Sequence, residues 1–465
     1  MSTGSSLERV CEAISAGGDI LALARGLLLV CRDEVDELVR ADNDQRTWRA
    51  RDRLRRRADA AFAAIDDEEI DPRERAGLAD LAREAADDLP PVMIARTLAE
   101  SLDAVLGSRL LPMFLGRTHK LKPDDPIPTP HPDWRRLTPS PSSDPWALDG
   151  RLDALPHLRL AGAWAREVEV TLDGDWRTWH ALPQLQAGDR LACAVPNETL
   201  AEFHIGRGTV EGRPVFFDVR PAGGEAEQTA RCLELLELAA AHDCRVVVFP
   251  ELSVPRATVD AMGKWLGAQD RVELVVAGSR HRKARRGGWH NESQILFAGW
   301  RERRHHRKFR AFSFHDSDGE ARVKRAEHLA AAPARVRAFL SPSWTLVVLV
   351  CKDLVVEPVP RLLAELRANL VLVPALTFKM DAFRTAAADV ATWAQGVALV
   401  ANAALAQRPR GARSEVVVAL PSQEISLYAE IPPARSILVA TLGNPERMPQ
   451  VAAVTPVAVS KTSIS

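Results

Sequence analysis

The sequence predicts a layered α/β fold over residues 186–445, preceded by an all-α region at 1–117. Three observations carry this expectation. Unbroken apolar runs at Leu346–Val350, Val246–Phe249 and Leu370–Val373 have the valine- and leucine-rich make-up of strands covered on both faces. Helix-like stretches alternate with these runs and a series of strands closes the region, the order of elements in a layered α/β sandwich. Before residue 117 the apolar residues instead recur at intervals of three and four, the spacing of a helix's buried stripe.

Composition narrows the class. A chain of 465 residues exceeds one ordinary core, so two or three domains are expected. Hydrophobic content of 46% and charged content of 26% are those of a soluble globular protein. The formal net charge of −1 offers no whole-chain attraction for a polyanion. The longest apolar stretch, Ile20 to Val30, is too short to span a bilayer and contains Arg25, and the amino terminus has no basic segment of the signal-peptide kind. The six cysteines, at 11, 31, 193, 232, 244 and 351, include no CxxC pair and no histidine at zinc spacing. A reducing compartment without disulfides or a metal site is expected, which makes the protein cytoplasmic.

In chain order, Leu7, Val10, Cys11 and Ile14, then Leu23, Leu27 and Val30, mark the first helices. Asp71-Pro72-Arg73-Glu74 combines a capping aspartate, a proline at the first helical position and a glutamate at the third. The arginine-rich stretch Arg49 to Arg57 has acids close by and reads as a solvated helix face. Residues 1–117 are therefore expected to be a helical bundle for docking or oligomerisation, which implies a homo-oligomer or a protein partner. Residues 118–150 carry eight prolines between Pro123 and Pro145 and read as an extended linker. Residues 151–185, with Trp164, Trp176 and Trp179, read as a small β-rich element. The α/β region opens at Arg190–Val195, is interrupted by an insertion ending in Val215–Val219, and continues through the helix Glu225 to His242. Residues 446–465 show no usable pattern.

Three of the strand-like runs end on reactive side chains. Val246–Phe249 leads through Pro250 to Glu251, and the proline stops the ladder there. The stretch after Gly299 delivers Lys308, and Leu346–Val350 delivers Cys351. Taken alone, Cys351 reads most simply as a small buried hydrophobe. With a carboxylate and an ammonium on two comparable strand ends, it completes a base, an electrophilic charge and a nucleophile, the set needed for acyl transfer through a thioester.

The order glutamate, lysine, cysteine on three such stretches resembles the carbon–nitrogen hydrolase (nitrilase) superfamily, over roughly residues 186–445. Val248-Phe249-Pro250-Glu251-Leu252 resembles its glutamate motif, Arg307-Lys308-Phe309 its lysine motif and Val350-Cys351-Lys352-Asp353-Leu354 its cysteine motif. Ala277-Gly278-Ser279 with Asn291-Glu292-Ser293, and Leu372-Val373-Pro374-Ala375, resemble connecting segments of that family. The resemblance implies a four-layer α-β-β-α sandwich and an amidase-like enzyme that uses a Glu251-Lys308-Cys351 triad. It also implies hydrolysis of a non-peptide amide or carbamoyl bond before a nitrile, through a thioester, with no cofactor and no metal. Glu327, or else Glu320, would be the accessory glutamate, and the backbone N–H of Lys352 an oxyanion donor. Two departures, Lys352 where the family is usually aromatic and Ala332-Pro333-Ala334 in place of its Pro-Gly, imply an atypical small-molecule substrate.

Two basic runs, Arg280 to Arg286 and Arg301 to Arg310, read equally as solvated faces or as a positive funnel for an anionic substrate. The alternative to an enzyme is a non-catalytic interaction or regulatory protein that uses the hydrolase-like region as a scaffold. A nucleic-acid binder is disfavoured by the balanced charge and by the lack of aromatic residues interleaved with the basic ones.

Overall fold

The computed structural model describes residues 6–129, 155, 157–197, 199–285, 287–299, 303–318, 321–377, 379–394, 396–403, 415–420, 426–430, 434–442 and 450–453. The chain divides into two compact units. One is built from the described residues up to Trp176 together with Leu340–Thr345, the other from Arg177–Phe339 and the chain from Leu346 onward.

The first unit opens with six helices, α1 (Ser6–Ala16), α2 (Ile20–Asp33), α3 (Val35–Asp42), α4 (Gln45–Ala63), α5 (Pro72–Ala85) and α6 (Pro91–Leu110). Asp71 caps α5 as its sequence predicts, with Glu74 reaching back to complete the capping box. Helix α6 is apolar on most of its circumference, from Val92 and Met93 to Leu106 and Leu110, because it packs against α1 to α5. The arginine-rich α4 pairs its charges with acids of the other helices and of the α5–α6 turn: Arg51 with Asp42 and Glu100, Arg57 with Glu84, and Arg53 with Asp88 in the turn.

This unit is not purely helical. It also contains β1 (Thr118–Lys120), β2 (Pro126–Pro128), β3 (Leu158–Leu160) and β4 (Glu169–Asp173), paired antiparallel as β1 with β4 and β2 with β3. The expectation of a linker from 118 is therefore corrected over its first part. Leu121, Ile127 and Thr129 are buried, and Pro126 and Pro128 are tolerated because a two-stranded ladder leaves outward N–H positions free. The rest of the proline-dense stretch lies outside the described residues.

The second unit begins at Arg177, within α7 (Trp176–Ala181), and continues with β5 (Arg190–Val195), β6 (Phe203–Val210), β7 (Arg213–Pro221), α8 (Glu225–Ala241) and β8 (Cys244–Val248). Then follow α9 (Arg256–Leu266), β9 (Leu274–Val276), β10 (Arg280–Lys283), β11 (Trp289–Phe297), β12 (Arg304–Arg307), β13 (Ser313–Asp318), β14 (Ala321–Glu327), β15 (Arg335–Leu340) and β16 (Thr345–Val348). It closes with α10 (Val359–Glu365), β17 (Leu370–Ala375), α11 (Asp381–Trp393), β18 (Val397–Asn402), β19 (Val416–Leu420), β20 (Ser426–Glu430), β21 (Ser436–Thr441) and β22 (Gln450–Ala453). The last strand pairs with β21 inside the tail that showed no pattern.

Within this unit one sheet runs β15-β16-β17-β18-β19-β20 and another β10-β11-β9-β8-β5-β21-β22, with β12 beside β11. Strands β16, β17 and β18 are parallel, as are β5, β8 and β9, and every described residue of β17 and β18 is buried, which accounts for their unbroken apolar sequences. Strands β17 and β18 face β8 and β5 across the sheets; α8 and α9 pack on the second sheet and α11 on the first. The expected insertion forms neither large sheet. Its strands β6 and β7 join β13 and β14 in a separate four-stranded sheet, order β13-β14-β7-β6, with β14 parallel to β7.

Candidate active site

Chain geometry brings four polar groups to the ends of these strands. After β8, the backbone passes through Phe249 and Pro250 to Glu251, whose N–H donates to the Ala375 carbonyl at the end of β17 (3.3 Å). The next residue, Leu252, has φ +59°. Its N–H donates to Ser279 Oγ at 3.0 Å, while Gly278 passes so close to Pro250 that a Cβ there would lie 2.3 Å from the Pro250 carbonyl oxygen. Only glycine fits this approach. Cys351 lies three residues beyond the end of β16 and itself has φ +50°, a left-handed conformation that few residues with a side chain adopt.

Lys308 Nζ, fully buried, donates to Glu251 Oε1 at 2.6 Å and to Glu327 Oε2 at 2.7 Å. Asn291 Nδ2 bridges the same carboxylates, 2.7 Å from Glu251 Oε1 and 2.7 Å from Glu327 Oε1. His281 completes the set. The Val219 N–H donates to His281 Nδ1 (3.3 Å), so Nε2 carries the proton of the neutral ring and donates to Glu327 Oε1 at 2.9 Å. Glu327 is thus ringed by donors, whereas Glu251 Oε2 is buried without a hydrogen-bond partner among the described residues.

Electrostatics separate the two carboxylates. Burial penalises charge on Glu327, but Lys308 and His281 outweigh it and hold that carboxyl well below its ordinary range. For Glu251 burial prevails over the opposing charge of Lys308, and its pKa is raised. Burial also pushes the Cys351 thiol well up; the charge of Glu251 adds to this and Lys308 opposes it. Lys308 is desolvated too, yet its two carboxylates keep it firmly protonated. The site therefore holds a neutral thiol, a carboxylate drawn towards proton uptake and a permanent ammonium.

One further buried carboxylate, inconspicuous in the sequence, ties these pieces together. Asp353, buried two residues after Cys351, accepts from the Arg310 N–H (2.9 Å), the Phe309 N–H (3.2 Å) and His306 Nε2 (3.0 Å). One carboxylate thus clamps the turn that follows Lys308 onto the turn that starts at Cys351. Asp353→Asn keeps the shape but sets an NH₂ group against donors. The expected result is a kcat reduced by about 10- to 100-fold, as for a small misplacement of a reacting group, with KM little changed. A proportional rise in KM at constant kcat would remove Asp353 from this positioning role.

Glu251, Lys308 and Glu327 come together by direct hydrogen bonds, and Cys351 is coupled to Glu251 and Lys308 electrostatically, with Sγ 3.9 Å from the Leu376 carbonyl. The Lys352 side chain does not join them. It is exposed and reaches the Ala311 carbonyl at 3.4 Å. Glu320 lies outside the described residues. Asn291 stood in the sequence only as part of a connecting segment, and His281 only as a member of a basic run. The inward face of β10 was the available signal, since the burial of Arg280-His281-Arg282-Lys283 singles out His281.

A cavity of about 30 Å³ adjoins the network. Glu251, Lys308 and Glu327 form its polar end, and Leu252, Leu376, Phe203, Phe216, Phe312 and Phe314 much of the remainder. Cys351 is not on this wall, but Glu251 and Leu376 belong both to the wall and to its surroundings. The expected positive funnel is not found at this cavity, where Lys308 is the sole cation among the lining residues. Arg282 and Arg307 both pair with Glu292 (3.1 Å each), and Arg303 pairs with Asp260 (2.5 Å).

No family model and no curated protein matches this sequence. Solved structures similar to the chain include members of the nitrilase superfamily. Saccharomyces cerevisiae Nit3, of branch 10 of that superfamily, is 14% identical over 56% of this chain and 91% of its own, with a TM-score of 0.38. An amidase from Nesterenkonia sp. is 15% identical over 56% and 91%, with a TM-score of 0.36. A glutamine-dependent NAD+ synthetase from Acinetobacter baumannii is 14% identical over 58% of this chain and 48% of its own, with a TM-score of 0.38.

Proposed function

We propose that the protein is a cysteine-dependent hydrolase of a non-peptide carbon–nitrogen bond, amide or carbamoyl before nitrile, acting through a thioester on Cys351. The observation that carries the reading is the state of Glu251: one oxygen saturated by Lys308 and Asn291, the other buried without a hydrogen-bond partner among the described residues, and the carboxyl as a whole coupled to the thiol. In this scheme Glu251 Oε2 takes the Sγ proton as sulfur bonds to the acyl carbon. Two of the three ammonium N–H bonds of Lys308 are committed to carboxylates, so the third, with the backbone N–H of Lys352, stabilises the oxyanion. Protonated Glu251 then gives its proton to the leaving nitrogen, the C–N bond breaks, and ammonia or an amine departs. Glu251 next activates a water that cleaves the thioester, releasing the acid and restoring the thiol. Glu327 stays ionised throughout and holds Lys308.

The four-layer α-β-β-α arrangement is part of the same proposal; α8 and α9 on one sheet, α11 on the other and the facing β8 and β17 support it. Among the described residues no helix is long and apolar enough to cross a membrane.

The test is release of ammonia from primary carboxamides, with mass spectrometry of the quenched enzyme for an acyl adduct on Cys351. The sign of the Glu251 shift adds a pH signature. Because its pKa is raised and it must be ionised to act, kcat/KM should fall as the pH drops through a midpoint above about 4.5, the ordinary glutamate range. A profile flat down to pH 4 would remove Glu251 as the base. A protein that turns over no amide, carbamoyl or nitrile compound and forms no adduct would be read as the scaffold instead.

A further inference from the structure

We infer that the group delivered to Cys351 is short, uncharged and apolar, selected by a phenylalanine wall that the β6–β7 insertion and the β13–β14 hairpin build together. The inference rests on the proposed use of Cys351 as nucleophile and adds the chemical class of its substrate. From the insertion come Phe203 on β6 and Phe216 on β7, and Phe314 lies on β13. Phe216 and Phe314 meet edge to face with centroids 5.0 Å apart, and Phe312 stacks beyond Phe314 at 6.4 Å. These contacts join residues brought together by the parallel pairing of β14 with β7, so the wall belongs to the folded sheet rather than to one loop.

Charge at the polar end points the same way. One ammonium faces two carboxylates, both of which it already binds, so no positive charge is left over for an anionic tail. A substrate carboxylate placed against the phenylalanines would be desolvated without a partner, whereas an alkyl group gains by burial. The small cavity favours a chain of a few carbons over an aromatic or extended one.

Iodoacetamide and iodoacetate form a matched pair that tests this directly, because they differ in charge and hardly in size. The full-length protein is treated with each at pH 7.5, and the Cys351 peptide is followed by mass spectrometry. Each rate is normalised to that of the same reagent on glutathione. The expected result is a normalised preference of about tenfold or more for iodoacetamide, and in Phe314→Lys a shift of that ratio towards iodoacetate by a similar factor. Equal or faster normalised labelling by iodoacetate overturns the inference, as does an unchanged ratio in the soluble Phe314→Lys protein. Labelling of Cys351 by neither reagent before unfolding also overturns it, because the wall would then not lead to the thiol. None of these readouts requires turnover. A neutral preference without amide hydrolysis would sink the hydrolase reading alone, and amide hydrolysis with an anionic preference would sink only the inference about substrate class.

Discussion

Cys351→Ala is expected to reduce amide turnover by about 10⁴-fold or more while the protein stays folded and soluble. The size follows from the chemistry: no other thiol is placed beside Glu251 and Lys308, and the hydroxide path left to a water lacks the covalent step. The remaining cysteines do not substitute. Burial raises the thiol of Cys31 to about 12 and that of Cys244 to about 12, and neither lies beside a lysine such as Lys308. The fold should persist because alanine removes one sulfur atom and keeps the backbone conformation at 351. Activity and the acyl adduct are measured together with the circular dichroism spectrum. Wild-type turnover in a folded Cys351→Ala protein would end the nucleophile assignment.

Lys308→Ala is expected to be costly twice over. It strips two fully buried carboxylates of their common cation, and breaking a buried ion pair from one side costs about 3–5 kcal/mol. It also removes the oxyanion donor of the proposed mechanism, for a further rate loss of about 100-fold or more. The double variant Lys308→Ala/Glu327→Gln separates the two effects. Neutralising one orphaned carboxylate should return part of the stability in urea denaturation and none of the turnover. If the single variant were as stable as the parent, the buried network would not be held as the hydrogen bonds describe; if the double variant regained activity, Lys308 would have no part in the chemistry.

Much of this arrangement was legible wherever a local pattern and a reactive residue coincide. Apolar runs broken by Glu251 and by Cys351 announce buried strands releasing a side chain at their ends, and β8 and β16 stop three residues before each. Lys308 was legible for a similar reason, though its strand β12 is only four residues long. Non-local pairing was not legible. Ala326 opposite Val215 joins segments far apart in sequence, and no local periodicity announces a parallel neighbour of that kind, so the insertion's role as a wall stayed hidden. Asp353 was hidden differently. A carboxylate after a lysine reads as surface charge, and burial becomes apparent only when the N–H groups of Phe309 and Arg310 are seen to surround it. His281 was masked by the arginines beside it. In the proline-dense stretch, composition alone reads as an unpacked chain, whereas Ile127 between two prolines is buried in a ladder with Leu158 and Leu160.

The left-handed backbone at Cys351 bears on how well this chemistry survives selection. A side chain held at φ +50° costs on the order of 1 kcal/mol, which glycine does not pay. Losing a small buried side chain costs about as much in the other direction. Cys351→Gly would therefore leave the thermodynamic stability nearly where it was, and a screen that rewards heat resistance or solubility would pass it unnoticed. Stability guards Lys308 strongly and Cys351 hardly at all, so under the proposed function any stabilised lineage of this protein has to be selected on turnover to keep its thiol.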